Sequence, residues 1–101
     1  MSGDYVAGKP TKAECHIQIC QELTNMFVEK NADYGDAYAL LRKEYPASIC
    51  YRLTDKLNRL KTLYATDAEK PNWAAESITD TLMDIANYAI MELIERGMDE
   101  H

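Results

Sequence analysis

The chain has 101 residues, room for one domain, and 47% of them are apolar, enough for one core. Seven Tyr against one Trp and one Phe make that core mainly aliphatic, and four Gly with three Pro leave little material for a many-turned β protein. Seventeen acids against eleven bases give a net charge of −6. That balance argues against direct nonspecific DNA binding, and leaves open a local basic pocket for small phosphates.

Residues 1–10 (MSGDYVAGKP) read as a flexible N-terminal arm, and 11–101 as a single helical domain. Thr11 and Glu14 have the spacing of a capping box, which predicts a first helix from about 11 to 30. Ile19, Cys20, Leu23, Met26 and Phe27 supply its apolar face. The polar stretch Asn31 to Gly35 should break it. A short helix should follow from Asp36 as N-cap to about Tyr45. Pro46 suits the first position of a third helix over about 46–65, striped by Ile49, Leu53, Leu57, Leu60 and Tyr64. Thr66 to Asn72 reads as a polar connection. Asn72 can cap a fourth helix over about 73–96, with Ile78, Leu82, Ile85, Ala89 and Leu93 inward and Gly97 stopping it. The expectation is all-α: a small helical bundle of three long helices and one short helix.

Three Cys without a C-x-x-C pair argue against a disulfide framework or a thiolate zinc site, and for small buried thiols in a reducing compartment. His16 among apolar neighbours reads as a partly buried, satisfied imidazole. No apolar run approaches the roughly 20 residues that cross a bilayer. No membrane association and a cytoplasmic location are therefore expected.

Three constellations can carry chemistry. The stretch Lys30-Asn31-Ala32-Asp33-Tyr34-Gly35 reads as a loop with a cation, an amide, a carboxylate and a phenol around one glycine. It can close on a ligand, Tyr34 stacking on a base and Lys30 meeting phosphate, or it can be ordinary turn chemistry. Arg52, Lys56 and Arg59 recur at spacings of four and three, bordering the third helix's stripe. Such a row can grip phosphate in an interhelical groove, or bridge to the abundant acids. Glu76, Asp80, Asp84 and Asn87 follow the helical period on the fourth helix, with no Lys or Arg between Trp73 and Glu95. Either a solvated acidic face or a hard cation such as Mg²⁺, held by Glu76, Asp80 and Asp84, fits that pattern.

Together, Lys30-Asn31-Ala32-Asp33-Tyr34-Gly35-Asp36, Arg52 to Leu60 (RLTDKLNRL) and Glu76 to Tyr88 (ESITDTLMDIANY) resemble the nucleotide modification associated domain 1 family over about residues 28–95. That family comprises small all-α proteins, mostly of phages and prophages, linked to nucleotide and DNA-base modification. The resemblance implies a phage-type protein in the cytoplasm of a bacterial host. The third segment is also distantly similar to MazG-type nucleotide pyrophosphohydrolases, which hold Mg²⁺ with E-x-x-E and E-x-x-D. This sequence offers Glu76-x-x-x-Asp80 and no E-x-x-E on its other long helix.

The expected function is binding or sequestering of a nucleotide, or of a cyclic nucleotide second messenger, in nucleotide modification or evasion of host defence. Lys30, Asn31, Asp33, Tyr34, Arg52, Lys56, Arg59 and Tyr88 are the candidate contacts. The alternatives are a Mg²⁺-dependent nucleotide pyrophosphohydrolase and a helical adaptor without ligand. Exposed apolar residues such as Met83, Met91 and Ile94 point to a homo-oligomer.

Overall fold

Four helices make up most of the chain in a computed structural model that describes residues 8–34, 36–69 and 74–99. They are α1 (Lys12–Tyr34), α2 (Ala37–Glu44), α3 (Ser48–Glu69) and α4 (Ala75–Asp99), with no β-strand among the described residues. The fold is all-α, three long helices and one short, as the periodicity predicts. It divides into two compact units, Met1–Gly35 and Asp36–His101.

The start of α1 is the expected capping box. The Thr11 amide donates to Glu14 Oε1 at 2.8 Å, and the Glu14 amide donates to Thr11 Oγ1 at 3.1 Å. The expected break at Asn31 does not occur, and the helix runs on to Tyr34. Asn and Asp inside a helix cost only up to about 0.7 kcal/mol each, and no Gly or Pro interrupts before Gly35. Gly35 itself lies outside the described residues. Leu23 is buried and Met26 and Phe27 are half-buried, but Ile19 and Cys20 are exposed. The cysteines are not the buried thiols expected: Cys15, Cys20 and Cys50 are free and exposed. His16 is exposed as well, with its Nδ1 3.6 Å from Cys20 Sγ one turn along the helix.

Asp36 occupies the N-cap of α2, where its carbonyl accepts from the Leu40 amide at 3.1 Å, although its side chain makes no capping bond. Pro46 sits in the turn before α3, two residues ahead of the helix it was expected to open. The turn closes when the Ser48 amide donates to the Tyr45 carbonyl at 2.8 Å. α3 then passes through the expected connection as far as Glu69. Thr62 and Thr66 each return their hydroxyl to a carbonyl one turn back, at 3.2 and 3.0 Å, so a polar sequence stays helical. Asn72, the expected cap of α4, and Trp73 lie outside the described residues. The first bond of α4 runs from the Ile78 amide to the Ala74 carbonyl at 2.9 Å. Gly97 does not stop α4, which continues to Asp99. A glycine inside a helix costs only about 1 kcal/mol.

The core of the second unit is small: Leu60 and Leu63 of α3 against Ala74 and Ile78, with Ile85 packed beside them. The stripe expected on α4 is split. Ile78 and Ile85 turn toward this core, while Leu82 and Leu93 are exposed and Ala89 is exposed too. On α3, Leu57 and Tyr64 are likewise exposed. Of the residues expected to be exposed, Ile94 is, and Met83 and Met91 are half-buried. α4 is thus rotated from the orientation its apolar spacing suggests. Thr81, 2% exposed, occupies the buried face where an aliphatic residue was expected.

Candidate functional site

The basic row of α3 meets α4 rung by rung. Lys56 Nζ lies 3.3 Å from Asp84 Oδ2. Arg59 Nε donates to Thr81 Oγ1 at 3.3 Å, and the Thr81 hydroxyl donates onward to the Ser77 carbonyl at 2.7 Å. The Arg52 guanidinium stands over the Tyr88 ring, 5.9 Å from its centroid. Steps of four and three along α3, from 52 to 56 to 59, are matched by steps of four and three backward along α4, from 88 to 84 to 81. That is the register of two antiparallel helices meeting edge to edge. Lys56 and Arg59 are therefore engaged by the fold itself. Arg52 is exposed at the open end of the ladder, with an aromatic ring and no carboxylate as its partner among the described residues.

Beyond Arg52 the ladder ends in a cluster that sequence reasoning missed. Glu92 accepts a hydrogen bond from the Tyr38 hydroxyl at 2.7 Å and one from the Arg42 Nε–H that its two oxygens share, at 3.0 and 3.2 Å. The Tyr38 and Tyr88 rings are tilted by 44° with centroids 6.2 Å apart. Tyr88 thus touches both the phenol of this cluster and the guanidinium of the basic row. Glu92 gave no local signal, because both of its partners are on α2, 50 and 54 residues away.

The cluster sets a pH window. The Arg42 hydrogen bond, then that of Tyr38, holds the Glu92 carboxyl below its ordinary 4.5. Burial, then the bond to Glu92, pushes the Tyr38 phenol well above its ordinary 10.0. The sign differs at the two ends. As pH falls below 4.5 the unfolded glutamate protonates first, so stability is lost on the way down through the folded value. As pH rises above 10.0 the unfolded phenol ionises first, so stability is lost again. In chemical melts, the stability difference between wild type and Glu92→Gln should be flat between these limits and shrink below the lower one. A difference that persists unchanged in acid would remove the charge on Glu92 from the account.

The acidic residues of α4 do not share one face of equal character. Glu76 and Asp80 are exposed, whereas Asp84 is half-buried and tied to Lys56. Asn87 is half-buried. Among the described residues, no three His, Cys, Asp or Glu side chains gather where one ion could be held.

The other candidates lie on α1. Lys30 and Asn31 are exposed on its penultimate turn, and Asp33 and Tyr34 belong to its last turn, their side chains outside the described residues. What read as a loop is therefore a helix end. Among the described residues, no helix is long and apolar enough to cross a membrane.

No curated protein and no solved structure matches this chain. The family described as nucleotide modification associated domain 1 matches residues 30–95. The match takes in the end of α1, the whole of the α3 row and its ladder to α4, and the Tyr38–Arg42–Glu92 cluster. With two thirds of its length matched and an all-α fold, the chain belongs to the nucleotide modification associated domain 1 family.

Proposed function

We propose that this is a small phage-type nucleotide-binding protein, which binds or sequesters a nucleotide or nucleotide second messenger in nucleotide modification or defence evasion. The observation that carries the reading is the family match over residues 30–95. Arg52 is the cation of the row left most open to a ligand. Its guanidinium can take a phosphate through parallel hydrogen bonds while the Tyr88 ring backs it. Lys56 and Arg59 hold α4 in place behind it and add positive potential. Lys30, Asn31, Asp33 and Tyr34 on α1 form a second group of candidate contacts. The pairing of Asp84 with Lys56 favours binding over turnover, because it engages one of the carboxylates that a metal cage would need. The second reading, a Mg²⁺-dependent pyrophosphohydrolase, rests on Glu76 and Asp80, exposed and one turn apart.

A thermal-shift screen with mono-, di-, tri- and cyclic nucleotides, each in Mg²⁺ and in EDTA, tests both. A ligand of the folded state raises the melting temperature by mass action. The expected result is a rise that survives EDTA, with the nucleotide recovered intact. Arg52→Ala should then weaken binding by about 1.5–3 kcal/mol, the worth of a charge-assisted contact, and cost the unliganded fold at most about 1 kcal/mol, the worth of its contact with the Tyr88 ring. Phosphate or pyrophosphate released only with Mg²⁺, and lost in Asp80→Asn, would decide for the hydrolase. No shift with any nucleotide would leave the helical adaptor.

A further inference from the structure

A hollow of about 440 Å³ opens between the end of α2 and the first two turns of α3, lined by Leu41, Tyr45, Ser48, Tyr51, Arg52 and Asp55. That volume lies within the roughly 300–1,000 Å³ usual for small-ligand sites. We infer that this hollow seats one nucleotide unit, its phosphate at the Ser48 end and its sugar or base donors at the Asp55 end. The inference rests on the nucleotide-binding reading above and gives that reading a place.

Ser48 carries the argument. It is the first residue of α3, is only 4% exposed, and its Oγ is a buried side-chain oxygen with no hydrogen-bond partner among the described residues. Buried hydroxyls are nearly always satisfied, so an orphan one lining a hollow marks a partner that arrives from outside. Its position favours an anion. The start of a long helix carries partial positive charge, which remains here although the Ser48 and Cys50 amides already donate to the Tyr45 and Ala47 carbonyls. Arg52 follows one turn later on the same side, with its guanidinium free of carboxylates among the described residues. Hydroxyl, helix start and Arg52 thus all border the one hollow.

The other end is different. Asp55 is a further turn along, about 10 Å from Ser48 along the helix axis at 1.5 Å per residue. A carboxylate there repels a second anion and accepts hydrogen bonds. It fits ribose hydroxyls or an exocyclic amine. Tyr45 and Tyr51, both exposed, flank the space with aromatic rings that suit a base, and Leu41 adds an apolar wall. Inorganic phosphate would fill the first end and leave the second idle. A nucleoside would do the reverse. A nucleoside monophosphate, or one such unit of a larger nucleotide, satisfies both.

The test is amide-resolved NMR titration of the full chain. The probes are the ribo- and deoxyribonucleoside monophosphates, the matching nucleosides, inorganic phosphate, and any nucleotide that raised the melting temperature. Bound nucleotide should shift the amides of Leu41, Ser48, Tyr51 and Asp55, and phosphate or nucleoside alone should bind at least about tenfold more weakly. Ser48→Ala should weaken binding about tenfold, the loss of one hydrogen bond to a charged group. The same change should leave the unliganded melt equal or higher, since it removes an oxygen that bonds nothing. Asp55→Asn, at an exposed position, gives a second reading should Ser48→Ala disturb the fold. A nucleotide that binds both variants at full affinity, with shifts elsewhere, would overturn the hollow and leave the nucleotide-binding reading standing. Absence of nucleotide binding in every arm would overturn both.

Discussion

Glu92→Ala is expected to lower the unfolding free energy by about 3 kcal/mol, the low end of the cost of breaking a buried pair from one side. Arg42 and Glu92 are 17% and 15% exposed at their side chains, so neither charge is well hydrated once its partner is gone. Removing Glu92 takes the acceptor from two donors at once, the Arg42 Nε–H, shared by both carboxylate oxygens, and the Tyr38 hydroxyl. It takes from the half-buried Arg42 guanidinium and Tyr38 phenol the carboxylate that both bond, at a cost in desolvation. At roughly 4–8 °C per kcal/mol for a domain of this size, the melting temperature should fall by more than 10 °C. Replacing both partners, as in Arg42→Met with Glu92→Leu, should recover most of the loss, since no charge is then stranded. Tyr38→Phe should cost less, about 1 kcal/mol, because Arg42 still satisfies the carboxylate. A Glu92→Ala loss below about 1 kcal/mol would place the pair with exposed ion pairs, which contribute little.

The second large effect separates two kinds of apolar residue. Leu60→Ala should cost about 2–5 kcal/mol, because Leu60 is one of four buried residues in the core of the second unit. So small a core leaves few neighbours to collapse into the space. Leu93 is 67% exposed and belongs to a different surface, shared with Leu82, Ile90 and Ile94. At about 100° per residue these four fall within a third of the circumference of α4. We propose that a second copy of the chain covers this surface. Wild type should then scatter light as a dimer or larger, with a melting temperature that rises with protein concentration. Leu93→Asp should give a monomer whose melt no longer depends on concentration. Leu60→Ala should destabilise at every concentration alike. A monomeric mass for wild type at high micromolar concentration would refute the oligomer and leave the Leu60 prediction untouched.

Element type was legible from local pattern. The capping box at Thr11 and Glu14, the turn around Pro46 and the helical recurrence of apolar residues depend on neighbours three or four positions away. Element ends were less legible. Asn31 to Asp33, Thr66 and Gly97 all carry residues that favour helix ends, yet each stays helical. Their intrinsic penalties are fractions of a kcal/mol to about 1 kcal/mol, small enough for the rest of a long helix to override.

The sequence by itself determined the family, the four helices and the alignment of Arg52, Lys56 and Arg59 along one edge of α3. It also left two uses for that row, phosphate grip or interhelical pairing. Only the tertiary structure divided them, pairing Lys56 with Asp84 and Arg59 with Thr81 while leaving Arg52 over Tyr88. It likewise turned Thr81 inward and Leu82 outward, and brought Glu92 to Tyr38 and Arg42. The reason is range. Periodicity states which residues share a face of one helix, but which face turns inward depends on register with a partner 20 to 50 residues away. In α4 that register is chosen by the sum of a few apolar contacts and a ladder of polar ones, which no local window contains.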